Sequence, residues 1–382
     1  MKTWQIILKR NQALEAQLVS LKAFQADLIL LFGAIPFFES DQLFNALREI
    51  APNAIVTGCS TAGEIADIYV YDNTCIINAI RFDHTPLVLQ SILLKDMDDS
   101  YDAGARLARA LPADDLKAVF LLGPGVNVNG SALVLGMQDN LAKTVALSGG
   151  LAADAGAFKQ TWTMGPNGAR DDQIVALGLY GEHIRFSYGS FAGWWPFGPV
   201  RKVTHAKGNI LYELDGQPAL DLYKTYLGEY AKDLPASGLL FPFEMLGAEQ
   251  QQSGVFRTIM AVSEADGAIT LAGEIDPQGY LRLMHASTEK LIEGAEQAAQ
   301  QAYDAGLKTD GEGLAILVSC VGRRLVMGDR VDEEVEVVAE ILGKSTKVSG
   351  FYSNGEIANT GFSGNCQLNN QTMTITWIGE VS

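Results

Sequence analysis

Short apolar runs alternate with amphipathic stretches along most of this chain. Residues 28–32 form a continuous apolar run, the pattern of a strand buried on both faces. Ahead of it, Leu14, Leu18 and Leu21 lay one apolar stripe on a polar stretch, which predicts a helix over 11–24. Behind it, Ser40 is placed to cap a helix over 41–50 with Leu43, Phe44 and Leu47 turned inward. Pro52 and Asn53 break that helix. Residues 54–57 then read as a second strand, running into Gly58-Cys59-Ser60-Thr61-Ala62-Gly63-Glu64-Ile65.

The same order recurs twice. Residues 118–122 (strand), 131–141 (helix) and 145–147 (strand) lead into Ser148-Gly149-Gly150-Leu151-Ala152-Ala153-Asp154. Residues 314–319, 332–342 and 347–348 lead in the same way into Gly350-Phe351-Tyr352-Ser353-Asn354-Gly355-Glu356-Ile357. In the first and last copies Gly, Gly, Glu and Ile fall at matching places; a turn alone does not require the Gly-Glu-Ile tail. Strand, helix, strand and glycine bend in series predict an α/β fold with parallel pairs. Hairpin-like regions at 173–188 and 269–284 add antiparallel strands, so the sheets are expected to be mixed. Three divisions follow: an N-terminal helix over 1–24, a first domain over 25–207 and a second over 208–382. The boundary comes just after the aromatic loop Gly193-Trp194-Trp195-Pro196-Phe197-Gly198-Pro199.

Composition narrows the function. Lys plus Arg number 28 against 45 Asp plus Glu, a net charge of −17 that repels phosphate backbones and anionic lipid. Neither nucleic acid nor a membrane surface is an expected partner. The four cysteines (Cys59, Cys75, Cys320, Cys366) are widely spaced with no C-x-x-C pair, which fits a reducing compartment and excludes a local zinc motif. No export signal or spanning segment is visible, so the chain is expected in the cytoplasm.

Gly58-Cys-Ser-Thr-Ala-Gly-Glu64, Gly149-Gly-Leu-Ala-Ala-Asp154, Leu214-Asp-Gly-Gln-Pro-Ala219, Ser319-Cys-Val-Gly-Arg-Arg324, Gly350-Phe-Tyr-Ser-Asn-Gly-Glu-Ile357 and Asn370-Gln-Thr-Met-Thr374 together resemble the FIST family, over about residues 25 to 380. The resemblance implies a sensory protein with an N-terminal and a C-terminal FIST domain, and a small ligand, with amino acids proposed for the family. Some stand-alone bacterial members look like b-type haem nitric-oxide sensors of two-component systems. With no output segment of its own, the chain would signal through a separate histidine kinase or cyclic-di-GMP enzyme. A homodimer and a ligand-free adaptor are the further alternatives.

The candidate residues follow. Glu64 and Glu356, each beside a glycine bend, can accept an ammonium group, or cap nearby backbone N–H groups. They would face each other if the copies pack about a twofold axis. Ser60, Thr61, Tyr352 and Ser353 add hydroxyls to the same bends. Arg323 and Arg324 offer planar forks for a carboxylate, or pair with the acidic run from Asp329 to Glu334. Thr372 and Thr374 share one face of an alternating strand, which lines a cleft or faces solvent. Trp194 and Trp195 would wall a pocket or a flat cofactor, or plug an interface. His183 and His205 are the axial-ligand candidates for haem. Cys59, on a strand corner, is the one candidate nucleophile. No His is near it in sequence, and the chain is expected not to be an enzyme. No metal site is expected.

Overall fold

The computed structural model describes residues 1–306, 312–359 and 366–381. The copies seen in the sequence are three structural repeats, and the α/β class with mixed sheets is present. Each repeat runs strand, helix, strand, helix, strand, hairpin, strand. The first contributes Lys2–Lys9, Leu28–Gly33, Ile55–Ser60 and Thr74–Arg81. The second contributes Leu87–Leu93, Leu116–Gly123, Ala146–Leu151 and Gln173–Tyr180, and the third Ile184–Phe191, Gly313–Cys320, Thr346–Ser353 and Met373–Glu380. In every repeat the middle two strands are parallel, and the long antiparallel strand that closes the repeat lies between its first strand and that pair.

Each six-stranded sheet is completed by a hairpin borrowed from another repeat. Glu64–Ala66 and Tyr69–Tyr71 leave the first repeat and pair with Thr346–Ser353 of the third. Gly355–Asn359 and Cys366–Asn369 leave the third and join Ala146–Leu151 of the second. Thr163–Gly165 and Gly168–Arg170 leave the second and join Ile55–Ser60 of the first. The exchange closes on itself, so the arrangement is threefold and not the expected twofold.

The three inner faces enclose one apolar core. Leu28, Leu30 and Phe32 meet Ala118, Phe120 and Leu122, and Leu314, Ile316 and Val318. Phe32 stacks on Phe351 with ring centroids 4.7 Å apart. Burial of each such side chain contributes roughly 1.5–3 kcal/mol. Helices cover the outer faces. The helix Thr288–Asp304, capped by Ser287, lies flat on Ile184–Phe191 because its inner face is small: Ala295, Ala298, Ala299 and Ala302. A Cβ at Gly189 would stand 2.0 Å from the Ala298 carbonyl oxygen.

Three expectations are corrected. The first 24 residues are not one helix: Lys2–Lys9 is an edge strand, and the apolar stripe is carried by two short helices, Leu14–Leu18 and Leu21–Phe24. The division at 207/208 falls in a hairpin turn, where Lys207 pairs with Ile210. Residues 195–285 instead form an eight-stranded antiparallel unit inserted into the third repeat. The segments 173–180 and 183–188 do not pair with each other; they lie in the second and third sheets. Among the described residues no helix is long and apolar enough to cross a membrane.

Candidate functional site

The two bend glutamates occupy equivalent places and are held in the same way. Glu64 accepts from Thr61 Oγ1 at 2.6 Å, Thr74 Oγ1 at 2.8 Å and Thr74 N at 3.1 Å. Glu356 accepts from Ser353 Oγ at 2.7 Å, Thr372 Oγ1 at 2.9 Å and Thr372 N at 3.1 Å. Each therefore ties its bend to the strand that closes the repeat. Asp154 takes the backbone N–H groups of Phe158, Lys159 and Gln160 instead. Ser60 is likewise spent, donating to Ala153 O and accepting from Trp162 N.

Glu356 is fully buried, with no cation bonded to it among the described residues, and burial pushes its carboxyl up to about 7 against the pull of Ser353 and Thr372. An acid raised on folding favours the folded state while protonated. Stability therefore falls as pH rises from about 4.5, where the unfolded group titrates, through about 7. A shift of this size corresponds to about 3 kcal/mol. Glu64 is shifted in the same direction by burial. Urea midpoints measured from pH 5 to 8 should decline for the wild type and flatten for Glu356→Gln, which keeps an acceptor toward Thr372. An unchanged slope in the variant would refute this assignment.

The arginines also have protein partners. Arg323 is buried and grips Glu334 Oε2 through Nη2 at 2.7 Å and Nε at 3.2 Å, and donates to the carbonyls of Ala192 and Leu291. Tyr352 Oη and Ser319 Oγ complete the Glu334 carboxylate at 2.6 and 2.9 Å. Arg324 bonds Asp72 at 2.6 Å and the Ala62 carbonyl, and its guanidinium lies 5.6 Å from the Tyr352 ring centre. Thr374 pairs with Ser190 Oγ at 3.1 Å in the interior of the third sheet, not on a solvent face.

The two candidate histidines sit on different units, His183 at the start of the third repeat and His205 on the inserted unit. His183 is exposed, its ring tilted against that of His84 with centroids 4.5 Å apart, and lies 3.1 Å from the Val381 carbonyl oxygen. His205 is exposed on the inserted unit, stacked on Tyr212. Trp195 is half exposed beneath the Lys290 ammonium. Neither His183 nor His205 lines the hollow at Trp194. Cys59 lies in the central core, where burial holds its thiol well above its ordinary value and hence protonated.

Two of the predicted residues, Trp194 and Thr372, do meet at a hollow. A cavity of about 160 Å³ lies in the seam between the third repeat and the inserted unit. Trp194 donates its indole N–H to the Gln371 carbonyl at 2.9 Å, which fixes the ring as one wall; Phe256 and Met284 form others. Glu244 and Arg282 supply the charge. Arg282 Nε and Nη2 both bond Glu244 Oε2, at 3.1 and 2.6 Å, leaving Glu244 Oε1 and Arg282 Nη1 without a partner among the described residues. Next to it Gln371 sits in the left-handed region at φ 65°, at the turn where the first repeat has Asn73 at φ 58°. In the first repeat this turn is exposed, whereas Gln371 is covered by Leu239 and Thr258 of the inserted unit.

Glu244, Arg282, Phe256 and Met284 escaped the sequence reading because they lie outside the repeats. The available signal was a lone charge inside each of two apolar strands, Phe243–Leu246 and Tyr280–His285.

Residues 27–217 match the FIST N domain, and residues 219–359 the FIST C domain. An uncharacterized protein of Methanocaldococcus jannaschii is 29% identical over 204 residues, an alignment that takes in 50% of this chain and 38% of that protein's length. A cyanuric acid hydrolase from A. caulinodans superposes over 100% of this chain and 99% of its own at a TM-score of 0.38 and 10% identity. A second cyanuric acid hydrolase structure gives 0.33 and 8%, over 99% of each chain.

Proposed function

Since this chain belongs to the FIST family, whose domains are small-ligand sensory domains of signal transduction, we propose that it senses a small amino acid in the Trp194 cavity. The observation that carries this reading is the Glu244–Arg282 pair, which keeps one acceptor and one donor unbonded among the described residues at an aromatic-walled hollow. A carboxylate oxygen suits an ammonium group, and a guanidinium edge suits a carboxylate. The volume, about 160 Å³, is below the roughly 300 Å³ at which drug-sized pockets begin, so it favours a compact ligand over a macrocycle. The walls come from both the third repeat and the inserted unit, so a bound ligand would favour one setting of the seam over another. That differential affinity is what a separate partner, such as a histidine kinase, would read.

A thermal-shift screen of the amino acids tests the reading. At least one is expected to raise the melting temperature in proportion to the logarithm of its concentration. Glu244→Gln and Arg282→Met should each weaken that ligand tenfold or more. If no amino acid stabilises the protein at 10 mM, the reading fails.

A further inference from the structure

We propose that Arg257 and the first turn of the helix Gly130–Asn140 form a second site, one that takes the carboxylate group of a small organic acid. The strand Gln252–Arg257 alternates, and Phe256 lines the Trp194 cavity while Arg257 belongs to a different part of the seam, against the second repeat and the borrowed hairpin. Arg257 is 5% exposed, yet among the described residues no carboxylate lies within ion-pair reach of it. Nε donates to the Glu274 carbonyl and Nη1 to the carbonyls of Phe256 and Leu368, each at 3.1 Å. Nη2 donates to no group of the described residues.

A buried guanidinium without a counter-charge is costly unless something supplies one. Burial already holds this group down to about 10, with only the charge of Glu274 opposing. The Glu274 side chain is itself exposed and turned to Asn129 Nδ2 at 3.2 Å.

The second half of the site is independent of the first. Ser131 Oγ is buried and makes no hydrogen bond to any described residue. It stands in the first turn of an eleven-residue helix whose cap, Asn129 Oδ1, takes only the Ala132 N–H, at 3.0 Å. The N–H groups of Gly130 and Ser131 are at the positive end of that helix. Gly273 brings the halves together: a Cβ there would stand 2.7 Å from Arg257 Nε and 3.0 Å from Ser131 Oγ. Only a residue with no side chain admits both.

The free Nη2 of Arg257, a hydroxyl and a helix N-terminus match a flat, acceptor-only group of single charge. A phosphate dianion would place a second negative charge beside Glu274 in a chain already at −17, so a carboxylate is the better complement.

Acetate is the probe, titrated against the whole chain at constant ionic strength with chloride, phosphate serving as the comparison anion. Acetate should raise the melting temperature and move the Ser131 amide resonance. Arg257→Gln should abolish both effects, Ser131→Ala should weaken acetate at least threefold, and Arg282→Met, which removes the guanidinium of the Trp194 cavity, should leave acetate binding unchanged. That last result separates this site from the amino-acid cavity. Acetate acting no more strongly than chloride at 100 mM, or equally well on Arg257→Gln, would overturn the proposal; so would phosphate binding where acetate does not. Should Arg257→Gln fail to fold, Ser131→Ala decides the matter: unchanged acetate affinity in that variant also overturns the proposal.

Discussion

Arg323→Met is expected to lower stability by about 3–5 kcal/mol, because it strands the Glu334 carboxylate in a fully buried position with only the hydroxyls of Tyr352 and Ser319 for company. The substitution also releases the carbonyls of Ala192 and Leu291, which anchor the start of the aromatic loop and the helix Thr288–Asp304. Urea unfolding measures the loss. The double variant Arg323→Met with Glu334→Gln should recover part of it, since the isolated charge is then gone, and the two changes should fall short of additivity by more than about 1 kcal/mol. Strict additivity would mean that the two side chains do not act as a pair.

Gly350→Ala should do comparable or greater damage for a different reason. Gly58, Gly149 and Gly350 occupy equivalent places in the three repeats, with φ of 155°, 148° and 158°. A Cβ at each would stand 1.8–2.0 Å from a carbonyl oxygen of the neighbouring parallel strand, that of Leu31, Leu121 or Leu317. The obstacle is backbone inside a sheet, so it cannot swing aside. A loss of at least about 4 kcal/mol, or failure to recover soluble protein, is expected. Alanine at Gly216, where φ is 73° and nothing lies within 4 Å, carries only the conformational penalty and serves as the control. Equal losses at the two positions would remove the steric explanation.

Those three glycines also explain why the repeat was legible. The tight approach of parallel strands demanded glycine at one place in each copy, and the Glu64 and Glu356 tails ended each bend with the same carboxylate bond. Both requirements are local, and local requirements leave a mark in sequence. The direction in which each hairpin travels is set by distant partners, and nothing in residues 64–71 announces that they will pair with residues 349–351. The twofold expectation failed there. The inserted unit hid the candidate site in a similar way. Trp194 and Thr372 are 178 positions apart in the chain yet share one hollow, because eight strands intervene as a block and fold back over the turn at Gln371. Arg323 does hold a carboxylate, but that carboxylate is Glu334, from the acidic run weighed as its alternative partner.

The exchanged hairpins fix the number of units. A stack of repeats can lengthen or shorten at its ends, because each member leans only on its neighbours. Here every member lends two strands to one fellow and borrows two from another, so removing one would orphan a hairpin on one side and bare a sheet margin on the other. Three is a closed count, and the chain should melt in one step, with the calorimetric and van't Hoff enthalpies of the repeat body in agreement.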